Sequence, residues 1–178
     1  MFSPDGKLLV TGSYDGLVRV WDSDTSEEMY SPLDHAGGGH QLVFDPSGML
    51  LITGAADGKI RFWDVATGAQ RYRGLSHAAP IVGVAISDDG QSLVTGAGNG
   101  DIRIWRMPPI GQYDQTLSRY YGAAHDVEFS ADGRILATSG MTQIWDAVTG
   151  LRVGPPIAQS ESGAVAFNPG DSSRHRRF

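Results

Sequence analysis

The sequence predicts an all-β fold of about four repeated antiparallel sheets, and three observations lead there. A segment recurs: "FSPDGKLLVTGSYDGLVRVWDSDT", "FDPSGMLLITGAADGKIRFWDVATG" and "ISDDGQSLVTGAGNGDIRIWRM" bring Phe2, Phe44 and Ile86 into register together with Trp21, Trp63 and Trp105. The copies lie about 42 residues apart, a period long enough for one multi-stranded unit each. Within each copy the apolar period is two, which marks strands, and no stretch of ten to twelve residues has helical periodicity.

The elements follow in order. In "KLLVTGS" and "LVRVWD" β-branched residues cluster, while "PDG", "YDG" and "ADG" supply Asp and Gly for tight turns. The second and third copies repeat the pattern. "RMPPIGQYDQ" reads as a loop, because Pro108 and Pro109 lack a ladder donor and restrict the residues before them. A fourth copy, "FSADGRILATSGMTQIWDAVTG", puts Phe129 and Trp145 in the same roles with a shorter stretch between them. A fifth start, "GAVAFNPGDSSRHRRF", leaves the pattern.

Composition narrows the function classes. With 178 residues the chain can bury one sizeable core. Its 14 Lys plus Arg against 20 Asp plus Glu give a net charge of -6, which argues against a general polyanion-binding surface, so nucleic acid is not an expected partner. The absence of Cys removes disulfides, thiolate metal sites and a Cys nucleophile. No run approaches the ~20 apolar residues of a membrane helix, and "MFSPDGKLLV" lacks the apolar stretch of a signal peptide. A soluble, cytoplasmic chain with no membrane partner is expected.

The repeated "DGLVRVWD", "DGKIRFWD" and "NGDIRIWR" resemble the WD40-repeat β-propellers, and the resemblance extends to about Pro169. "WDVATGAQ" and "WDAVTGLRVGPPI" look like bacterial members, which are often parts of longer signalling chains. The resemblance implies a WD40-type segment of about four blades, each a four-stranded antiparallel sheet with strands a to d from the centre outward, closed or left as an incomplete ring. The repeat region is expected over 1–169, with blade-like units near 1–34, 35–76, 77–119 and 120–157 and a lone strand at 163–168. A disordered basic tail is expected over 170–178. On this frame "FSPDG" ends strand a of blade one, "KLLVTGS" is b, "LVRVWD" is c and "EEMYSPL" is d, so that most of the first strand a is missing.

The resemblance also implies a four-residue interaction in each blade: a His before strand a, a Ser or Thr on b, an Asp in the b-to-c turn and the Trp of c. The second copy carries His35, Thr53, Asp57 and Trp63. The third carries His77, Thr95 and Trp105 with Asn99 in place of the Asp. The first has Thr11, Asp15 and Trp21, with Ala158 where its His is expected. The fourth keeps Thr138 and Trp145, has Tyr120 at the His position and has lost the "DG" turn. Each hydrogen bond is worth ~0.5–1.5 kcal/mol, and an unpaired buried member costs ~1–3, so blades two and three are expected to be the firmest.

That structural role absorbs the tempting catalytic combination of His35, Asp57 and Thr53. The histidines 35, 40, 77 and 125 show no close metal-ligand spacing. "GAGNGD" has no following Lys-Ser or Lys-Thr and opens no helix, so it reads as a hairpin and not a phosphate loop. The "RHRR" of 174–177 reads as a solvated tail. No catalytic residue, cofactor or metal is therefore expected. The leading expectation is a non-enzymatic scaffold whose loop face, with Tyr14, Asp34, Tyr120 and Tyr121, meets a protein or peptide. The alternatives are a sensor segment of a larger bacterial signalling protein, such as a kinase-linked one, and a propeller hydrolase. Pairing of 163–168 with "KLLVTGS" would close blade one, and exchange of such terminal strands between two chains would give self-association.

Overall fold

The structure is a computed structural model, and it describes residues 1–35, 37–38, 41–107, 115–116, 126–139, 142–157 and 165–167. Four sheets follow one another along the chain. The first holds β1 (Leu8–Gly12), β2 (Leu17–Asp22) and β3 (Leu33–Asp34). The second holds β4 (Gln41–Phe44), β5 (Leu50–Gly54), β6 (Lys59–Asp64) and β7 (Leu75–Ser76). The third holds β8 (Ile81–Ile86), β9 (Ser92–Ala97), β10 (Ile102–Arg106) and β11 (Gln115–Thr116). The fourth holds β12 (Val127–Phe129), β13 (Ile135–Thr138) and β14 (Gln143–Asp146). Every pairing is antiparallel between strands adjacent in sequence. Among the described residues there is no helix, and none long and apolar enough to cross a membrane.

The turns that lead into β1, β5, β9 and β13 share one chemistry. Ser3 Oγ donates to Asp5 Oδ1 at 2.6 Å and accepts the Leu8 amide at 3.0 Å, and Asp5 accepts the Lys7 amide. Ser87 with Asp89 and Ser130 with Asp132 repeat it. In the second copy the residues are exchanged: Asp45 accepts the Leu50 amide at 2.8 Å and the Ser47 hydroxyl at 2.6 Å. Short polar side chains thus satisfy amides that the turn leaves unpaired.

The outermost strands are short and interrupted. Isolated pairings Trp21 with Glu28, Trp63 with Gln70 and Trp145 with Arg152 recur at one place in three sheets, and Thr142 pairs with Ile157. At the other edge of the first sheet the position expected to be largely empty is occupied for a short way. Met1 exchanges hydrogen bonds with Val10, the Ser3 amide donates to Leu8 O at 2.9 Å, and Phe2 pairs with Leu9. Residues 165–167 do not take that edge. Val165 and Phe167 donate their amides to Asp126 Oδ2 at 3.2 Å and Glu128 Oε2 at 3.0 Å, beside β12. The 170–178 tail and the loop 108–114 lie outside the described residues.

Strand alternation assigns each sheet a leading and a trailing face. Val10, Val18 and Val20 of the first sheet pack against Leu51 and Trp63 of the second. Ile52, Ile60 and Phe62 of the second pack against Leu93 and Trp105 of the third. Val94, Ile102 and Ile104 of the third pack against Leu136 and Trp145 of the fourth. Three apolar seams therefore join four blades in series, as a propeller segment of about four blades requires.

Candidate functional site

The seams are fastened by polar networks, built outward from a buried hydroxyl. Thr53, at 0% exposure on β5, accepts the Trp63 indole N–H at 2.8 Å and is hydrogen-bonded to His35 Nε2. The Arg61 guanidinium donates to His35 Nδ1 and lies 3.0 Å from Asp57 Oδ2. Asp57 Oδ1 stands 4.0 Å from the same ring nitrogen. Burial would raise the Asp57 carboxyl, but the Lys59 amide and the Arg61 guanidinium outweigh it and hold the group below the usual carboxylate range. His35 itself belongs to the loop leaving the first sheet, where its amide donates to Gly16 O at 2.8 Å. One residue thus pins two blades.

The third blade repeats this with one change. The His77 amide donates to Gly58 O at 2.8 Å, its Nε2 lies 2.7 Å from Thr95 Oγ1, and Trp105 donates to the same oxygen at 2.8 Å. The carboxylate facing Nδ1, at 3.1 Å, is Asp101 and not the residue at the Asn99 position. Asn99 Oδ1 accepts the Asp101 amide at 3.1 Å and so positions the acid without touching the imidazole. The negative charge that the Asn99 position lacks is thus supplied beside the imidazole by Asp101. Arg103 holds Asp101 at 2.6 Å and donates to Ser76 O at 3.0 Å across the seam. Burial pushes His77 below its ordinary value, Asp101 opposes the shift and Arg103 adds to it.

In the first blade Trp21 donates to Thr11 Oγ1 at 3.0 Å and Arg19 pairs with Asp15 at 3.0 Å. No described residue supplies an imidazole to this set, and Ala158 lies outside the described residues. In the fourth, Trp145 donates to Thr138 Oγ1 at 3.1 Å, and Gln143, opposite Thr138, stands where the other blades have Arg. Tyr120 lies outside the described residues.

Sequence reasoning missed the arginines. Arg19, Arg61 and Arg103 each face the hydroxyl residue across the ladder, opposite Thr11, Thr53 and Thr95, and each binds the turn acid. Their signal was present, since each stands two residues before the Trp in "VRVW", "IRFW" and "IRIW" and therefore on the same strand face. With its hydroxyls and imidazoles engaged, the arrangement serves to hold sheets in register. Among the described residues no group of three or more His, Asp and Glu is placed to hold a metal ion.

The exposed candidates gather at the turn between β1 and β2. Tyr14 is 94% exposed, and Asp34 is exposed one strand away, paired with Leu17. Gly38 packs against the Tyr14 backbone so closely that a Cβ there would lie 2.6 Å from the Tyr14 Cα and carbonyl oxygen. The loop thereby supports the turn from behind and leaves the ring free. Tyr121, His40 and His125 lie outside the described residues.

The family model described as WD domain, G-beta repeat matches residues 1–22, 37–64 and 70–106. These stretches carry the first three copies of the segment and end at or just past Trp21, Trp63 and Trp105. Among curated proteins none matches the chain. With three repeat matches in register, four sheets in series and an indole bonded to a threonine hydroxyl in every one, the chain belongs to the WD40-repeat family.

Proposed function

We propose that the chain is a non-enzymatic interaction scaffold that presents the loop face bearing Tyr14 and Asp34 to a protein or peptide. WD40 repeats are in general protein-interaction scaffolds, and the fold alone assigns no partner. The observation that supports this face is an aromatic ring almost wholly in water on a turn whose backbone is held. Ser13 and Gly16 close the turn, and Gly38 backs it. An aromatic side chain with few rotors on a fixed backbone gives large contact area at low entropic cost. The adjacent Asp34 carboxylate adds an acceptor for an amide or cationic donor of the partner. Tyr120 and Tyr121 are proposed as further anchors on the same face.

Pull-down of partners with wild-type protein, followed by titration of each captured partner against Tyr14→Ala and Asp34→Ala, tests this. Affinity is expected to fall by about tenfold or more in Tyr14→Ala, with the denaturation midpoint unchanged because the side chain touches little of its own protein. Equal affinity of wild type and both variants for every captured partner overturns the assignment.

A further inference from the structure

The outer edges of three sheets share one backbone and differ in the side chains they present. After the Trp of each, a turn opened by Asp22, Asp64 or Asp146 leads into a short outer segment. The Asp amide donates to the carbonyl of Glu27, Ala69 or Leu151, and the amide of Met29, Arg71 or Val153 donates back to Val20, Phe62 or Ile144. The residue between them, Glu28, Gln70 or Arg152, stands opposite the Trp. Its own N–H and C=O therefore point away from the sheet, and among the described residues no backbone group pairs with them.

Such an edge is a template for another strand, and charged side chains ordinarily suppress its use. The first sheet carries Glu27 and Glu28 there, and the second carries Gln70 and an Arg71 that lies 3.5 Å from Asp64. The fourth sheet instead has Leu151 and Val153 around Arg152, with Val148 in the turn before them; the three apolar residues are 68%, 46% and 73% exposed. Coverage by a next sheet would not bury these positions. Their counterparts Glu27, Met29, Ala69 and Arg71 stay exposed although another sheet packs on that side. Alternation puts Leu151 and Val153 on one face of the edge and Arg152 on the other. No described carboxylate pairs with Arg152, and Arg134, also exposed, adds a second cation at the near end, where its carbonyl accepts the Ala147 amide at 2.8 Å. The segment stops at Gly154, with φ +78, and at Pro155 and Pro156, which have no amide to donate.

We propose that the outer edge of the fourth sheet, formed by Leu151, Arg152 and Val153 with Val148, docks an extended segment of a partner protein that alternates apolar and acidic residues. The segment adds as an antiparallel strand. Its acidic residue exchanges backbone hydrogen bonds with Arg152 and sets its carboxylate beside the guanidinium, while apolar neighbours on either side cover Leu151 and Val153. A second copy of this chain does not fit. Two such edges paired antiparallel about their centre would set Arg152 directly opposite Arg152, and like charges in that position repel. This edge does not include Tyr14 or Asp34, and its test does not depend on that reading.

The test titrates the full chain into fluorescein-labelled peptides, blocked at both ends, with a Val-Glu-Val or a Val-Lys-Val centre, and reads fluorescence anisotropy. The Val-Glu-Val peptide is expected to bind about tenfold more tightly. Arg152→Glu should reverse the preference, Leu151→Asp should abolish binding of both, and Tyr14→Ala should change neither. N-methylation of the central peptide amide, which removes the donor to the Arg152 carbonyl, should remove binding while leaving every side chain in place. Because these residues are exposed, the denaturation midpoints of the variants should match wild type, and Val153→Thr serves as a milder substitution where one does not. Absence of binding, equal affinity for the two peptides, a preference unchanged in folded Arg152→Glu, or full binding of the N-methylated peptide overturns the proposal. So does a dimeric mass that Leu151→Asp returns to monomer, which would make a second copy the occupant.

Discussion

His35 and His77 stand between the same partners, yet their protons point in opposite directions. A guanidinium only donates, so the Arg61 contact makes His35 Nδ1 an acceptor and leaves Nε2–H to donate to Thr53. A carboxylate only accepts, so Asp101 draws the proton of His77 to Nδ1, and the Thr95 hydroxyl donates to Nε2. His77 is held neutral, its value pushed below 6.5 chiefly by burial. The native state therefore binds fewer protons than the unfolded chain below 6.5. The stability from this group is full above that pH and is lost as pH falls through and below it. Urea midpoints at about pH 7.5 and about pH 5.5 should differ more for wild type than for His77→Gln; equal differences would remove His77 as the source. Asp101→Ala, which unpairs a buried imidazole, should cost about 1–3 kcal/mol. Asn99→Ala, which loses one exposed amide bond, should cost less by the same denaturation measurement.

At the scale of elements, the turn between the second and third strands both ends one hairpin and fastens the next blade. Gly58 adopts φ +74, and a Cβ there would lie 2.8 Å from His77 O, the carbonyl of the loop whose amide it binds. Gly6 has nearly the same φ of +75 but no heavy atom within 4 Å of its Cβ position. Alanine at either position carries the left-handed penalty of about 1–2 kcal/mol. Alanine at Gly58 must also displace the His77 loop. Gly58→Ala is therefore expected to be the more destabilising in a denaturation series, with broadening of the Thr95 and Trp105 resonances. Equal costs at the two glycines would show that the turn does not position the loop.

Across the whole molecule, stability follows the number of covered faces. The second and third sheets each contribute to two apolar seams, whereas the first is covered on its leading face. In an array whose units gain stability from neighbours, opening starts where a neighbour is absent. Native-state hydrogen exchange is expected to be slowest in β5, β6 and β9 and faster in β1 and β2. Protection of β1 equal to that of β5 would contradict this gradient. The segment 165–167, held by Asp126 and Glu128, adds two amide-to-carboxylate bonds beside β12. Asp126→Ala is expected to release the Val165 amide to exchange while leaving β9 protected.

Much of this was legible in the amino acids. The recurrence of Trp21, Trp63 and Trp105, the period-two strands and the Asp-Gly turns suffice for sheets, their order and their family, because those properties are local and repeat. The arginines were legible too, standing two residues before each Trp, where strand alternation puts them on the network's side. What only the tertiary structure decided concerns neighbours. Asp101 takes the role expected of Asn99 because the two flank Gly100, whose φ of +84 turns the chain there, and which one reaches the imidazole depends on where the preceding sheet's His77 loop lies. Leu9, Thr11 and Trp21 carry the same pattern as Leu51, Thr53 and Trp63, yet one set meets water and the other is sealed. Burial belongs to a pair of surfaces, and a chain's local pattern describes only one of them.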